Sequence, residues 1–281
     1  MNLTTKILSY IKITRPINVL ITFFVVVVAI LISQKAQTDL FTILLASIAA
    51  SLVTAAGNIV NDIYDIESDK ISHPNRVLVL GKISEKEAWI EYIFLNSFSI
   101  IISVTLSAKL FIIVIATIIL LYIYSSTLKK LPLFGNVTIA LLTGLAFIYG
   151  GFASGNPVSA IVPAEFAFLI NLIREIVKDI QDIEGDTKAG VITFPIKFGF
   201  QRSKILILII TISLILYTLY PFITELYKIE YFIAVMVFVN PLLILSLKIL
   251  FDSKKENNLT VVSNMLKLNM VLGLIAIYLG K

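Results

Sequence analysis

Long, uninterrupted apolar stretches constrain this chain more than any other feature. Residues 17–33, 41–60, 92–108, 110–128 and 133–152 contain no Asp, Glu, Lys or Arg. Each falls in or near the roughly 17 to 25 residues that carry a helix across a bilayer. Residues 205–219 and 231–247 are nearly as good, whereas 162–173 and 268–279 are shorter and bordered by Arg174 and Lys267. Nine spans are therefore expected, in an all-α chain forming one domain over residues 1–281. With 58% hydrophobic and 15% charged residues and a mean hydropathy of +0.96, there is too little polar surface to wrap a water-soluble core of this size. The solvent around most of the molecule must be lipid.

Charge placement sets an expected orientation. With nine spans, 19 of the 23 Lys and Arg fall on the amino-terminal side, and only Lys35, Lys109, Lys228 and Lys281 fall on the other. Cytoplasmic loops collect Lys and Arg, so the amino terminus and the long 2–3, 4–5, 6–7 and 8–9 connections are expected in the cytoplasm. The net charge of +5 needs no nucleic-acid partner once it is read as topology. Residues 1–16 carry Lys6, Lys12 and Arg15 without a small-residue cleavage site, so the first apolar run reads as a retained span. The absence of cysteine excludes disulfides, thiolate metal sites and cysteine nucleophiles.

One octapeptide recurs. Asp62-Ile63-Tyr64-Asp65-Ile66-Glu67-Ser68-Asp69 returns 117 residues later as Asp179-Ile180-Gln181-Asp182-Ile183-Glu184-Gly185-Asp186, identical at six of eight positions. On a continuous helix the three Asp of each copy fall within about a 60° arc, joined by Asn58 or Glu175 four residues earlier. Ser68 and Gly185 are the expected helix ends. Charges near span termini are commonly just solvated at the interface, but that role does not require the same spacing twice. Clustered carboxylates repel by about 1 kcal/mol per pair at 4 Å even in water, so a cation is expected there. Oxygen-only donors, no Cys and a single histidine, His73, favour a hard ion. Mg²⁺ in particular takes one or two carboxylates plus substrate phosphates. Arg76, Lys82, Lys129, Arg174 and Lys178 lie on the same side and could stabilise a leaving diphosphate. Arg174 stands out, because an Arg in a membrane helix is costly unless paired. His73 reads as an incidental loop residue, and Trp89 as an interfacial anchor.

These residues resemble the UbiA-type membrane prenyltransferases. The resemblance rests on Asn61-Asp62-x-x-Asp65-x-x-x-Asp69, the following Asn75-Arg76 and Gly81-Lys82-Ile83-Ser84, and Asp179-x-x-Asp182-x-x-x-Asp186. Arg15-Pro16-x-Asn18 and the stretch from Tyr124 through Lys129 to Gly135-Asn136 add to it. Val77 departs from it, standing where many members carry Pro. The resemblance covers nearly the whole chain and implies nine helices around a central apolar cavity, with both Asp motifs binding Mg²⁺-diphosphate. It further implies that Asp62, Asp65, Asp69, Asp179, Asp182 and Asp186 hold the metal, directly or through water. Asn58, Asn61, Arg76, Lys82, Tyr124 and Lys129 then contact diphosphate or acceptor, with Arg15, Asn18, Arg174 and Lys178 in the same substrate-binding set.

Within that family, Arg15-Pro16-Ile17-Asn18 and the late Met265-Leu266-Lys267-Leu268-Asn269-Met270 with Gly273 look most like archaeal members. Those members attach a second geranylgeranyl group to geranylgeranylglyceryl phosphate, forming an ether. The implied partners are an isoprenoid diphosphate donor, a lipid-phosphate acceptor and the membrane itself, with the active site facing the cytoplasm of a multi-pass cell-membrane protein. No protein partner is inferred. A 4-hydroxybenzoate or other quinone-precursor prenyltransferase is the alternative enzyme. The CDP-alcohol phosphotransferases are disfavoured because Ile63, not Gly, follows Asp62. A cation transporter is the non-enzyme alternative, but its carboxylates usually sit near the membrane midplane. No Ser-His-Asp grouping can be assembled, so the expected chemistry is early ionisation of the diphosphate to an allylic carbocation, without a strong general base.

Overall fold

The computed structural model describes residues 3–188, 190–252 and 256–281. Lys254 and Lys255, which contribute to the expected charge asymmetry, lie outside the described residues. Among those described there are helices and turns and no strand. Eight helices are long and apolar enough to cross a membrane. A ninth, Ile161–Gln181, qualifies by its 21 residues but carries Glu165, Arg174, Glu175, Lys178 and Asp179. The sixth apolar run, read as the short segment 162–173, thus continues eight residues further. Arg174 Nη1 lies 2.7 Å from Glu175 Oε1, an ion pair that offsets the desolvation of both charges. The last run, read as 268–279, likewise belongs to a longer helix, Glu256–Leu279.

The chain divides into two compact units, one holding Met1–Lys129 with Leu145–Ala160 and the other Lys130–Gly144 with the chain from Ile161 onward. In the first, α1 (Leu3–Ile13) leads into α2 (Pro16–Ser33), α3 (Leu40–Tyr64), the short α4 (Ile66–Ser72), α5 (Glu85–Leu106), α6 (Ala108–Ser126) and the latter half of α7 (Phe134–Ala153). The caps are local. The Asp39 side chain accepts from the Thr42 N–H at 2.9 Å, and Ser84 with Glu87 forms a reciprocal capping box at the start of α5. Ser107, in extended conformation, separates α5 from α6 and caps the latter.

Helix α3 is the hub of this unit, packing on α2, α5 and α6. Val26 and Ile30, Ala46 and Val53, Leu110 and Val114, and Tyr149 form its apolar core. Small residues let the backbones approach, as membrane helices require in the absence of a hydrophobic drive between them. A Cβ on Gly57 would stand 2.9 Å from Leu121 Cδ1, and one on Gly150 would stand 2.5 Å from the Ala29 Cβ. Ser99 Oγ donates to the Ala49 carbonyl at 2.8 Å. A second cluster of Ile13, Ile59, Ile63, Val77, Ile83 and Ala88 underlies the 2–3 connection. Val77 is 3% exposed and its carbonyl accepts from the Lys82 N–H, so here the residue standing in the place of Pro plugs the loop onto the core.

In the second unit, α8 (Ile161–Gln181) is followed by α9 (Ile183–Lys188), α10 (Phe194–Phe198), α11 (Phe200–Tyr217), α12 (Tyr220–Ile223), α13 (Ile229–Ala234), α14 (Asn240–Asp252) and α15 (Glu256–Leu279). Helix α8 packs on α11 and α15. A π-helical stretch, Val235–Val239, joins α13 to α14, and Asn269 Nδ2 donates to the Val239 carbonyl at 3.0 Å. Asn171 of α8 donates to Thr143 Oγ1 at 2.9 Å, and a Cβ on Gly144 would meet the Ala164 carbonyl at 2.8 Å.

Candidate active site

Both copies of the octapeptide break their helix at the same point. Helix α3 ends at Tyr64 and α4 begins at Ile66, while α8 ends at Gln181 and α9 begins at Ile183, so the second Asp of each motif is the junction. The hydrogen bonding also repeats. Asp65 N–H donates to the Asn61 carbonyl at 3.0 Å and Asp69 N–H to the Asp65 carbonyl at 2.8 Å; Asp182 to Lys178 and Asp186 to Asp182 have the same two lengths. The break thus retains these backbone bonds. It also corrects the sequence expectation twice over. The helix ends at the middle Asp and not at Ser68 or Gly185, and the third Asp rides on a separate short helix instead of completing a single stripe.

The first motif is surrounded by cations. Asp62, 5% exposed, is paired with Arg15 and with Arg76, whose Nη1 is 3.2 Å away. The same Nη1 reaches Asp69, which is 4% exposed. Lys129 Nζ lies 2.6 Å from Asp65 Oδ1 and 3.3 Å from Asn61 Oδ1, and Asn61 Nδ2 donates to Asp65 Oδ2 at 2.9 Å. Burial pushes the Asp69 carboxyl above its ordinary pKa, although Arg76 pulls the other way. Arg15 caps α2 from the left-handed region at φ 54°, unusual for a residue with a Cβ. Asn58 donates to the Thr14 carbonyl at 2.8 Å, tying α3 to the residue before that turn. Tyr64 and Tyr122 bond through their hydroxyls at 2.9 Å, and Tyr64 also packs edge-on against Trp89, so the expected interfacial anchor belongs to an aromatic cluster beside the helix break.

Asn18 is exposed on α2, Lys82 is half-buried in the 2–3 connection, and neither hydrogen-bonds to an Asp of the motif among the described residues. Tyr124 is half-buried in α6, and His73 is exposed at the end of α4.

The second motif is polar without being neutralised in the same way. Asp179 Oδ2 accepts from Asn136 Nδ2 at 2.8 Å, and among the described residues none of Asp179, Asp182 and Asp186 forms an ion pair. Asn136 is 7% exposed; the sequence singled it out only as part of a resemblance, and no spacing rule could have assigned it to an Asp 43 residues away. Burial and the neighbouring Asp182 carboxylate push Asp186 up to about 6, against the pull of Lys178. Arg174, engaged by Glu175, also carries a buried Nε without a hydrogen-bond partner.

Among the described residues no three His, Cys, Asp or Glu side chains converge closely enough to hold an ion by themselves. Mg²⁺ does not need such a cage, because substrate phosphates complete its shell. The donor chemistry fits that ion: the motifs offer oxygen donors with no sulfur or imidazole, and among the described residues no ion pair neutralises Asp179, Asp182 or Asp186.

Comparison with known proteins agrees with this geometry. Residues 20–271 match the model of the UbiA prenyltransferase family. The digeranylgeranylglyceryl phosphate synthase of Methanococcus aeolicus is 37% identical over 276 residues, covering 95% of this chain and 98% of that protein. The enzyme of the same name from Methanosphaera stadtmanae is 32% identical, covering 96% and 98%. A solved structure described as giving insight into digeranylgeranylglyceryl phosphate synthase in membranes has a TM-score of 0.83 and 32% identity, covering 98% of both chains. A UbiA homologue from Archaeoglobus fulgidus, solved with GPP and Mg²⁺, shares the fold with a TM-score of 0.69 at 22% identity. By sequence match and by fold, this multi-pass membrane chain belongs to the UbiA prenyltransferase family.

Proposed function

We propose that the protein transfers a geranylgeranyl group from geranylgeranyl diphosphate to the glycerol hydroxyl of geranylgeranylglyceryl phosphate, forming an ether bond. The observation that carries the reading is a helix-breaking Asp motif present twice, its first copy clasped by Arg15, Arg76 and Lys129. The acceptor is taken from relatives of that name that match the chain over nearly its full length.

In this reading the six Asp residues hold Mg²⁺ with the donor's diphosphate, as the ligands of the Archaeoglobus homologue suggest. When bound, Mg²⁺ neutralises charge that gathers on the departing diphosphate. Arg15, Arg76 and Lys129 add fixed positive charge at the first motif, and Asn136 holds Asp179 with one carboxylate oxygen engaged. The isoprenoid tail lies among apolar helices, where water is kept from the carbocation. The acceptor hydroxyl then needs positioning more than a strong base, in keeping with the exposure of His73.

Product analysis in proteoliposomes tests the acceptor. With geranylgeranyl diphosphate, geranylgeranylglyceryl phosphate and 4-hydroxybenzoate supplied together, the doubly alkylated glyceryl phosphate is the expected product; prenylated benzoate in its place overturns the assignment. Fluorinating the donor near the allylic carbon is expected to slow single-turnover chemistry strongly by destabilising the cation, and an unchanged rate would point to direct displacement. For orientation, 19 of 23 basic residues support motif-bearing helix ends on the cytoplasmic side. Because the chain has no cysteine, one introduced at Lys188 can be labelled selectively. Labelling confined to the outside of the cell contradicts that orientation.

A further inference from the structure

Helix α1 carries an outer face that neither the span count nor the reaction accounts for. Its 11 residues rise about 16 Å at 1.5 Å per residue, half of a hydrocarbon core about 30 Å thick, so it cannot cross. At 100° per residue, Lys6, Ser9, Tyr10 and Ile13 share one face. That face is docked: Ser9 and Ile13 are buried, Ile13 belongs to the cluster beneath the 2–3 connection, and Lys6 Nζ lies 2.5 Å from Glu87 Oε1 on α5. The opposite face carries Ile7, Leu8 and Ile11 within an arc of about 100°. These three side chains are 52%, 60% and 52% exposed.

We propose that α1 is an interfacial anchor, its Ile7, Leu8 and Ile11 face inserted at the acyl-chain boundary of the bilayer, and that this insertion holds Arg15 at the first Asp motif. Lipid is the occupant because the stripe runs on into the lipid face of a span. Beyond the turn at Thr14 and Arg15, Ile17, Leu20, Ile21 and Phe24 of α2 are 74%, 57%, 56% and 60% exposed. Those side chains project from a helix that crosses the membrane. Headgroup charge is secondary, since Lys6 is engaged by Glu87 and Lys12 is the exposed cation at the polar edge. A helix docked by one face with aliphatic side chains on the other is the pattern of an in-plane amphipathic helix.

The link to Arg15 is geometric. The chain between α1 and α2 is two residues long, and Arg15 adopts φ 54° there. Such a conformation persists only where its surroundings over-determine it. Here the Asn58 bond to the Thr14 carbonyl, the Arg15 pair with Asp62 and the docked face of α1 do so together. If α1 leaves the interface, its docking on the Ile13 cluster and Glu87 loosens, and the guanidinium is held by two restraints in place of three. The inference depends on membrane embedding and not on which acceptor is used.

Single cysteines at Leu8 and Ile11, and at Thr5 on the polar edge, carry a nitroxide in proteoliposomes, read by its accessibility to oxygen and to a water-soluble nickel chelate. High oxygen and low nickel accessibility is expected at Leu8 and Ile11, with the reverse balance at Thr5. Nickel accessibility at Leu8 equal to that at Thr5 overturns the insertion, and spin–spin broadening between labels at Leu8 replaces lipid with a second copy of the chain. In the Leu8-labelled protein, Ile11→Glu is expected to move the label toward water and to raise KM for the diphosphate several-fold. Lys12→Glu should leave both unchanged. A displaced label with an unaltered KM sinks the coupling to Arg15.

Discussion

Asp65→Asn and Asp182→Asn are each expected to cut turnover by at least about a hundredfold, the scale of losing one fixed electrostatic stabiliser, while leaving the fold intact. Both residues are helix junctions and not core residues, since Asp182 is exposed and Asp65 only partly buried. Asn keeps the volume and a hydrogen-bonding oxygen but removes the charge. Asp65→Asn also loses the 2.6 Å ion pair with Lys129. The double variant should lose less than the product of the single losses, as the proposed function has both residues acting in the same catalytic step. Single-turnover rates at limiting Mg²⁺, with circular dichroism on the same samples, decide the matter. Near wild-type turnover from either variant is incompatible with a metal-diphosphate role for its motif.

Arg76→Ala is expected to cost stability as well as activity. Its Nη1 serves both Asp62 and Asp69, which are 5% and 4% exposed. Without it, Asp62 retains Arg15, but Asp69 keeps no cationic partner among the described residues. Stripping one partner from a buried pair typically costs about 3–5 kcal/mol, because the remaining charge stays desolvated. Arg76→Lys should recover only part of this loss, as a point charge cannot replace a planar, multi-donor group. The pH dependence follows from Asp69, whose pKa already stands above its ordinary value through burial and rises further without Arg76. The folded state then binds the proton more tightly than the unfolded state, so the variant loses stability as pH rises and its deficit narrows on acidification. Thermal melting in detergent across pH checks this. A variant that melts with the wild type at neutral pH contradicts the shared-guanidinium arrangement.

Several elements follow from short-range information. A run of some 20 apolar residues has few alternatives to a membrane helix, because unsatisfied backbone groups are intolerable in lipid. The first five runs accordingly correspond to α2, α3, α5, α6 and α7 with ends shifted by a few residues. Ser84 with Glu87, three residues apart, marks the start of α5 by local capping chemistry. The doubled Asp octapeptide is equally plain, since a repeat carries its own comparison.

Tertiary structure decided the rest. Helix α8 runs through Arg174 to Gln181, which a hydropathy window stops at 173, because adjacent Glu175 supplies a counter-charge. Two identically spaced motifs differ in their surroundings: Arg15 and Lys129 stand 47 and 64 residues from the Asp they pair with, and Asn136 stands 43 residues from Asp179. Hydropathy, capping and helical periodicity act within a few turns of chain and marked the spans, while the repeat marked the motif residues and their resemblance pointed to the family. Which cation meets which carboxylate is set instead by how separate helices pack, through close contacts such as Gly57 against Leu121 and Gly150 against Ala29, and that depends on shape complementarity between segments far apart in the chain.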